Sequence, residues 1–227
     1  MKCPLSRRIA AEFLGTGFLV AAVVGSGIMG ERLSGGNVAI ALMANTIATG
    51  AALAALILAF GPISGAHLNP VVSMAEALRG GISWKEASLY ATAQVCGGIS
   101  GTACANIMFA LPTFSISRHA RTGAPQWFSE FVATFGLLLV IRTVARFTPG
   151  LLPLAVAAYI VAAYWFTAST SFANPAVAIA RSLSDTFSGI RPVDVPAFVA
   201  AQLAGGFSAE IVSDWLAMQR IEPRNEP

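Results

Sequence analysis

The chain has 227 residues, 56% of them hydrophobic and only 11% charged, with a formal net charge of +3 and a mean hydropathy of +0.69. A soluble domain carries about 25% charged residues, so a water-facing fold is excluded. The bases are scattered with no aromatic-interleaved patch, which excludes nucleic acid as a partner, and Cys3, Cys96 and Cys104 have the spacing of neither a disulfide framework nor a metal site.

From the N-terminus, MKCPLSRR is a basic start, and the apolar stretch behind it carries Glu12 and no cleavage site. It predicts a retained first helix rather than a signal peptide. No charge occurs from Leu33 to Ala75 (43 residues), from Ala87 to Ser117 (31) or from Phe147 to Ala180 (34). About 20 apolar residues cross a bilayer as a helix, so each run holds one crossing and leaves residues over. The runs lack the alternation of a membrane barrel. Six spans are predicted, near 8–30, 37–60, 86–111, 128–147, 151–170 and 195–217. The fourth and sixth are the weakest, since Glu130, Arg142, Glu210 and Asp214 interrupt them. Cys96 and Cys104 read as small packing residues of the third span, and the tail after Arg220 reads as polar and frayed.

Two further apolar segments are too short to span. HLNPVVSMAEAL follows the second span and FANPAVAIARSL follows the fifth. Asn is a strong N-cap and Pro suits the first helical position, so Asn69-Pro70 and Asn174-Pro175 each open a helix. About ten residues at 1.5 Å rise reach only half-way across the hydrocarbon, which predicts two re-entrant half-helices. Backbone that is not helical at that depth requires protein or a water-filled path around it.

The halves also repeat. AEFLGT at Ala11 returns as SEFVAT at Ser129, His67–Leu78 returns as Phe172–Leu183, and AQVCGG at Ala93 returns as AQLAGG at Ala201. An odd number of spans per half makes the repeat inverted, so the half-helices enter from opposite faces and meet end to end at the midplane. The fold class is therefore an all-α membrane protein with six spanning helices and two half-helices in an inverted 3+3 repeat. The chain reads as one domain over 1–227, with repeats near 8–111 and 128–217. With the N-terminus inside, nine bases (Lys2, Arg7, Arg8, Arg79, Lys85, Arg142, Arg146, Arg220, Arg224) lie inside and five (Arg32, Arg118, Arg121, Arg181, Arg191) outside. That bias predicts cytoplasmic N- and C-termini.

Asn69 and Asn174 carry the functional argument. Two facing helix N-termini put partial positive charge of about +0.5 each at the midplane, and the amides donate to a passing oxygen. Held so, water cannot form a proton-conducting wire, and cations meet two positive dipole ends. The bland reading is a plain helix cap, and the matched positions in an inverted repeat weigh against it.

On these residues the chain resembles the aquaporin family over essentially its whole length. Asn174-Pro175-Ala176 keeps the family's motif, whereas Asn69-Pro70-Val71 departs at the third residue. The resemblance implies a pore in each subunit of a homotetramer in the lipid bilayer of the cell membrane, with no cofactor. It implies that Glu12 and Glu130 accept hydrogen bonds from the backbone supporting the half-helices; the alternative is proton coupling, since intramembrane carboxylates are costly. His67 is expected to fix its loop, and Gln94 and Gln202 to be paired structural amides.

The family's selectivity filter lies 20 residues before the first Asn, then 12 before, 3 before and 3 after the second, which gives Thr49, Ala162, Ser171 and Val177. The family's arginine at the last position is valine here, and none of the four is aromatic or histidine. A wide, weakly polar passage follows, with one electrostatic barrier lost. Arg181, one turn past Val177, is either a vestibule charge or a dipole-compensating residue at a helix end. An arginine-free filter resembles the arsenic-resistance-associated branch of bacterial aquaglyceroporins, which implies neutral metalloids such as As(OH)3 and methylated arsenicals. Three rivals stay open. A looser glycerol and water channel fits the same motifs, and an ion-coupled secondary transporter fits the broken helices. A non-conducting scaffold is disfavoured by the paired Asn motifs. An enzyme lacks any nucleophile–base pair or phosphate loop.

Overall fold

A computed structural model describes residues 3–217, and the described residues form helices and connecting loops without a strand. Lys2, Arg220, Arg224 and the tail therefore lie outside the described residues. The helices are α1 (Leu5–Leu33), α2 (Val38–Ser64), α3 (Pro70–Leu78), α4 (Trp84–Met108), α5 (Ala124–Phe147), α6 (Leu152–Phe166), α7 (Pro175–Arg181) and α8 (Val195–Ala217). Single 3-10 turns at Pro149–Leu151 and Pro192–Asp194 lead into α6 and α8. Six long helices thus surround two short ones, α3 and α7, and the short pair start at the two Asn-Pro dipeptides.

Helix starts follow local chemistry. The Asn37 carboxamide accepts from the Ala39 and Ile40 amides and opens α2. Ser83 and Glu86 form a reciprocal capping box that opens α4. α6 ends at Phe166, earlier than the predicted 170, because Thr167 turns extended.

The predicted order of span strength is corrected. Five helices among the described residues are long and apolar enough to cross a membrane, and they include α5 and α8. α4, at 25 residues, is not among them. Its lower hydropathy comes from small and polar residues turned inward. Gly97 and Gly101 lie against the α1 backbone, where an added Cβ would strike the carbonyls of Phe13 and Gly17. Gly205 of α8 lies in the same way against the Phe131 carbonyl of α5. Membrane helices lack a hydrophobic drive to associate, so close approach through small residues supplies the packing instead. The two cysteines of α4 are also relocated: Cys96 and Cys104 are exposed on its outer face rather than packed inside.

Around this bundle the outward surface is apolar, with Phe18, Ile47, Leu58, Phe128 and Ile211 each more than half exposed. All four tryptophans of the chain (Trp84, Trp127, Trp165, Trp215) are exposed and sit near ends of long helices. That is the place of amphipathic rings at the headgroup level of a bilayer. The protein is a membrane protein.

Candidate functional site

The site begins with backbone shape. Ala66 and Leu68 have φ of 46° and 50°, and Ser171 and Ala173 have 51° and 49°. These fall three and one residues before Asn69 and Asn174, so both loops place non-glycine residues in the left-handed region at the same two steps. Such conformations cost about 1–3 kcal/mol each and persist only where surroundings hold them.

Two buried carboxylates do the holding. Glu12 of α1 accepts from the His67 amide (3.0 Å), the Leu68 amide (2.7 Å), the Ser64 hydroxyl (2.6 Å) and the Gln94 Nε2 (2.7 Å). Glu130 of α5 accepts from the Phe172 and Ala173 amides, both at 2.9 Å, and from Gln202 Nε2 at 2.6 Å. Each glutamate therefore takes the two amides immediately before its asparagine, and each glutamine donates to its own glutamate. The His67 ring lies 3.1 Å from the Ser73 hydroxyl through Nδ1 and edge-on to Tyr90.

The asparagines are clasped across the junction. Asn69 Oδ1 accepts from the Val71 amide and its Nδ2 donates to the Ala173 carbonyl at 2.7 Å. Asn174 Oδ1 accepts from the Ala176 and Val177 amides and its Nδ2 donates to the Leu68 carbonyl at 2.7 Å. Each amide thus caps its own half-helix and bonds the opposite loop, leaving one N–H of each free of the clasp. Both line a cavity of about 300 Å³ that continues past Val177 and Arg181 on one side and past Val72 and Glu76 on the other.

A sequence profile described as "Major intrinsic protein" matches residues 1–150. The chain is 56% identical over 212 residues to "Aquaglyceroporin AqpS" of Rhizobium meliloti, covering 93% of this chain and 91% of that one. The chain belongs to the major intrinsic protein family. Aquaporin NIP6-1 of Arabidopsis thaliana is 36% identical over 63% of this chain but only 47% of its own length. The solved aquaglyceroporin of Plasmodium falciparum, at 23% identity, shares the fold with a TM-score of 0.76 over 95% of this chain and 98% of that one. Members of this family are channels, not enzymes.

Of the four residues counted for the filter, three line the cavity of this major intrinsic protein: Thr49, Ser171 and Val177. Ala162 does not. It is exposed on the outer face of α6. Leu152, Val156, Ile160 and Tyr164 line the cavity instead, one residue per helical turn, and Ala162 sits about 200° around the helix from Ile160. The four-residue stripe was readable as a helix face, but counting back from Asn174 does not reveal it. Pro70, Val71, Pro175 and Ala176 are buried in the first turns of α3 and α7, and they are not cavity residues.

Aromatic side chains line the cavity at positions other than the four counted. Tyr164 and Phe172 both line the cavity, and the Tyr164 hydroxyl lies 3.3 Å from that of Thr49. The Ser171 hydroxyl is buried without a protein partner. Arg181 is neither solvent-exposed nor a simple helix-end charge. It is 2% exposed, lines the cavity and lays its guanidinium 3.5 Å above the centre of the Phe172 ring.

At the Glu76 side lies a set of ions that sequence reasoning treated as interruptions. Arg142 of α5 bonds Glu76 and Glu210, each at 2.7 Å, and Arg79 bonds Glu210 and Asp214. α3 is thereby tied to α5 and α8. The partners lie 66 or more residues apart in sequence, which no local pattern reveals.

Proposed function

We propose that the protein is a passive channel for small uncharged solutes broader than water: neutral trihydroxy metalloids such as As(OH)3, methylated arsenicals, glycerol-like polyols, and water itself. The observation that carries this reading is Val177 in the cavity wall where the family pattern has arginine, beside the short side chains of Thr49 and Ser171. A valine there removes a bulky cation from the passage, and the unpartnered Ser171 hydroxyl offers a hydrogen bond to a hydroxylated solute. The name of the Rhizobium meliloti relative, an aquaglyceroporin, supports solutes of this class.

A second reading, a loose glycerol and water channel, draws on Tyr164 and Phe172, whose rings give the wall the apolar side that a polyol's carbon backbone favours. An ion-coupled carrier needs a carboxylate with free acceptor capacity at the junction. Glu12 and Glu130 each take three or four donors there, which disfavours it. The protein is taken to work as a homotetramer with one pore per subunit, in the inner membrane with both termini cytoplasmic.

The experiment is stopped-flow swelling of proteoliposomes with water, glycerol and As(OH)3, comparing wild type with Val177→Arg. Wild type passes all three without saturation, and the arginine variant loses glycerol and As(OH)3 flux by about tenfold or more while sparing water. Glycerol flux without As(OH)3 flux selects the second reading. Bulky-solute flux that survives the substitution removes Val177 from its role, and uptake that requires an ion gradient replaces the channel with a carrier.

A further inference from the structure

Arg181 is buried without a counter-ion. None of the ion pairs among the described residues includes it. Its Nε donates to the Ser188 carbonyl, and its terminal nitrogens have no hydrogen-bond partner among the described residues. A guanidinium has five N–H donors. A cation in that state is tolerable only where it faces water or a polar solute, and Arg181 lines the cavity.

Its posture is fixed on three sides. The guanidinium stacks on Phe172, whose backbone amide is held by Glu130 and whose ring meets Phe198 edge-on. Ser188 holds Nε from the loop after α7. A second guanidinium, that of Arg121, stands 4.9 Å from the same ring and is tied to the Gly189 and Ser169 carbonyls. The charge is therefore held over the Phe172 ring in the cavity wall, one turn of α7 beyond Val177.

We propose that Arg181 is the cation barrier of this channel, a filter arginine displaced by one helical turn and stacked on Phe172 so that the passage at Val177 stays wide. The assignment rests on the solute pathway proposed above and adds to it the basis of charge selection. Thr49, Ser171 and Val177 set the width, and Arg181 sets the sign. The sequence pattern alone separates these tasks wrongly, because it treats the loss of arginine at position 177 as the loss of the barrier.

The test uses urea and guanidinium, which are nearly the same size and differ in charge, with proteoliposomes of wild type, Arg181→Met, Arg181→Gln and Arg181→Lys. Wild type is expected to pass urea and exclude guanidinium. In Arg181→Met and Arg181→Gln guanidinium entry rises about tenfold with urea flux retained, and Arg181→Lys excludes it still. Unchanged guanidinium exclusion in a folded, uncharged variant overturns the proposal. Guanidinium entry through the wild type overturns it too, and that arm needs no variant to fold. Absence of urea flux in wild type counts against the wide passage alone, since guanidinium entry into the uncharged variants is still read independently.

Discussion

At the scale of single residues, the asparagines show why Asp cannot replace Asn here. Asn174 accepts from two amides of its own half-helix and donates to the Leu68 carbonyl opposite. An aspartate keeps the first task and gains about 0.3–1 kcal/mol from the positive helix end. It also faces a carbonyl oxygen with no proton to offer, which costs about 1–3 kcal/mol. The second effect is the larger, so Asn174→Asp is expected to lower the thermal midpoint of the detergent-solubilised protein; an unchanged midpoint would show that the clasp carries no stability. The Asn-Pro dipeptides were legible as helix starts because capping is local chemistry. The clasp between them was not, since its partners stand more than 100 residues apart. Tyr164 escaped for a related reason, and Arg181 was legible only as a choice between a vestibule charge and a helix-end charge. Motif counting assigns roles by distance from Asn174, whereas the cavity selects by direction around α6 and by reach from the end of α7.

At the scale of elements, the two half-helices are secured differently. α7 is bound through backbone carbonyls and the Phe172 ring, while α3 is tied by ions to α5 and α8 through Arg142, Glu210 and Arg79. Arg142 is the hub, with 15% of its side chain exposed and two carboxylates within 2.7 Å. Arg142→Gln leaves Glu76 without its partner and should cost roughly 2 kcal/mol, the range of hydrogen bonds to charged groups. Removing Glu76 as well should add little, because the stranded charge goes with it. Equilibrium denaturation of Arg142→Gln, Glu76→Gln and the double variant measures that coupling, and strictly additive losses would refute the clamp. The long helices themselves were readable from hydropathy except in rank. α4 appears weakly apolar because its glycines are spent on contact with α1, an effect invisible to any scale that scores residues one at a time.

At the scale of the whole molecule, the matched carboxylates, left-handed residues and asparagines make the two halves near-equivalent at the junction, and the charges break that equivalence. Seven residues past each asparagine stand Glu76 and Arg181, both in the cavity wall; the first is neutralised by Arg142 and the second has no counter-ion among the described residues. A solute therefore meets a neutral ion pair at one mouth and a bare cation at the other, so the orientation in the membrane decides which compartment faces the barrier. The basic residues predict that the Arg181 mouth is outside. Arg118, with a side chain 90% exposed and paired to Asp185 in the loop after α7, marks that mouth. Lys85, exposed in the first turn of α4, marks the other. In a background with the three native cysteines replaced by serine, Arg118→Cys is expected to react with a membrane-impermeant maleimide on intact cells. Lys85→Cys is expected to react only after permeabilisation. The reverse pattern would turn the molecule over and place the cation barrier at the cytoplasmic mouth, where it would screen efflux before uptake.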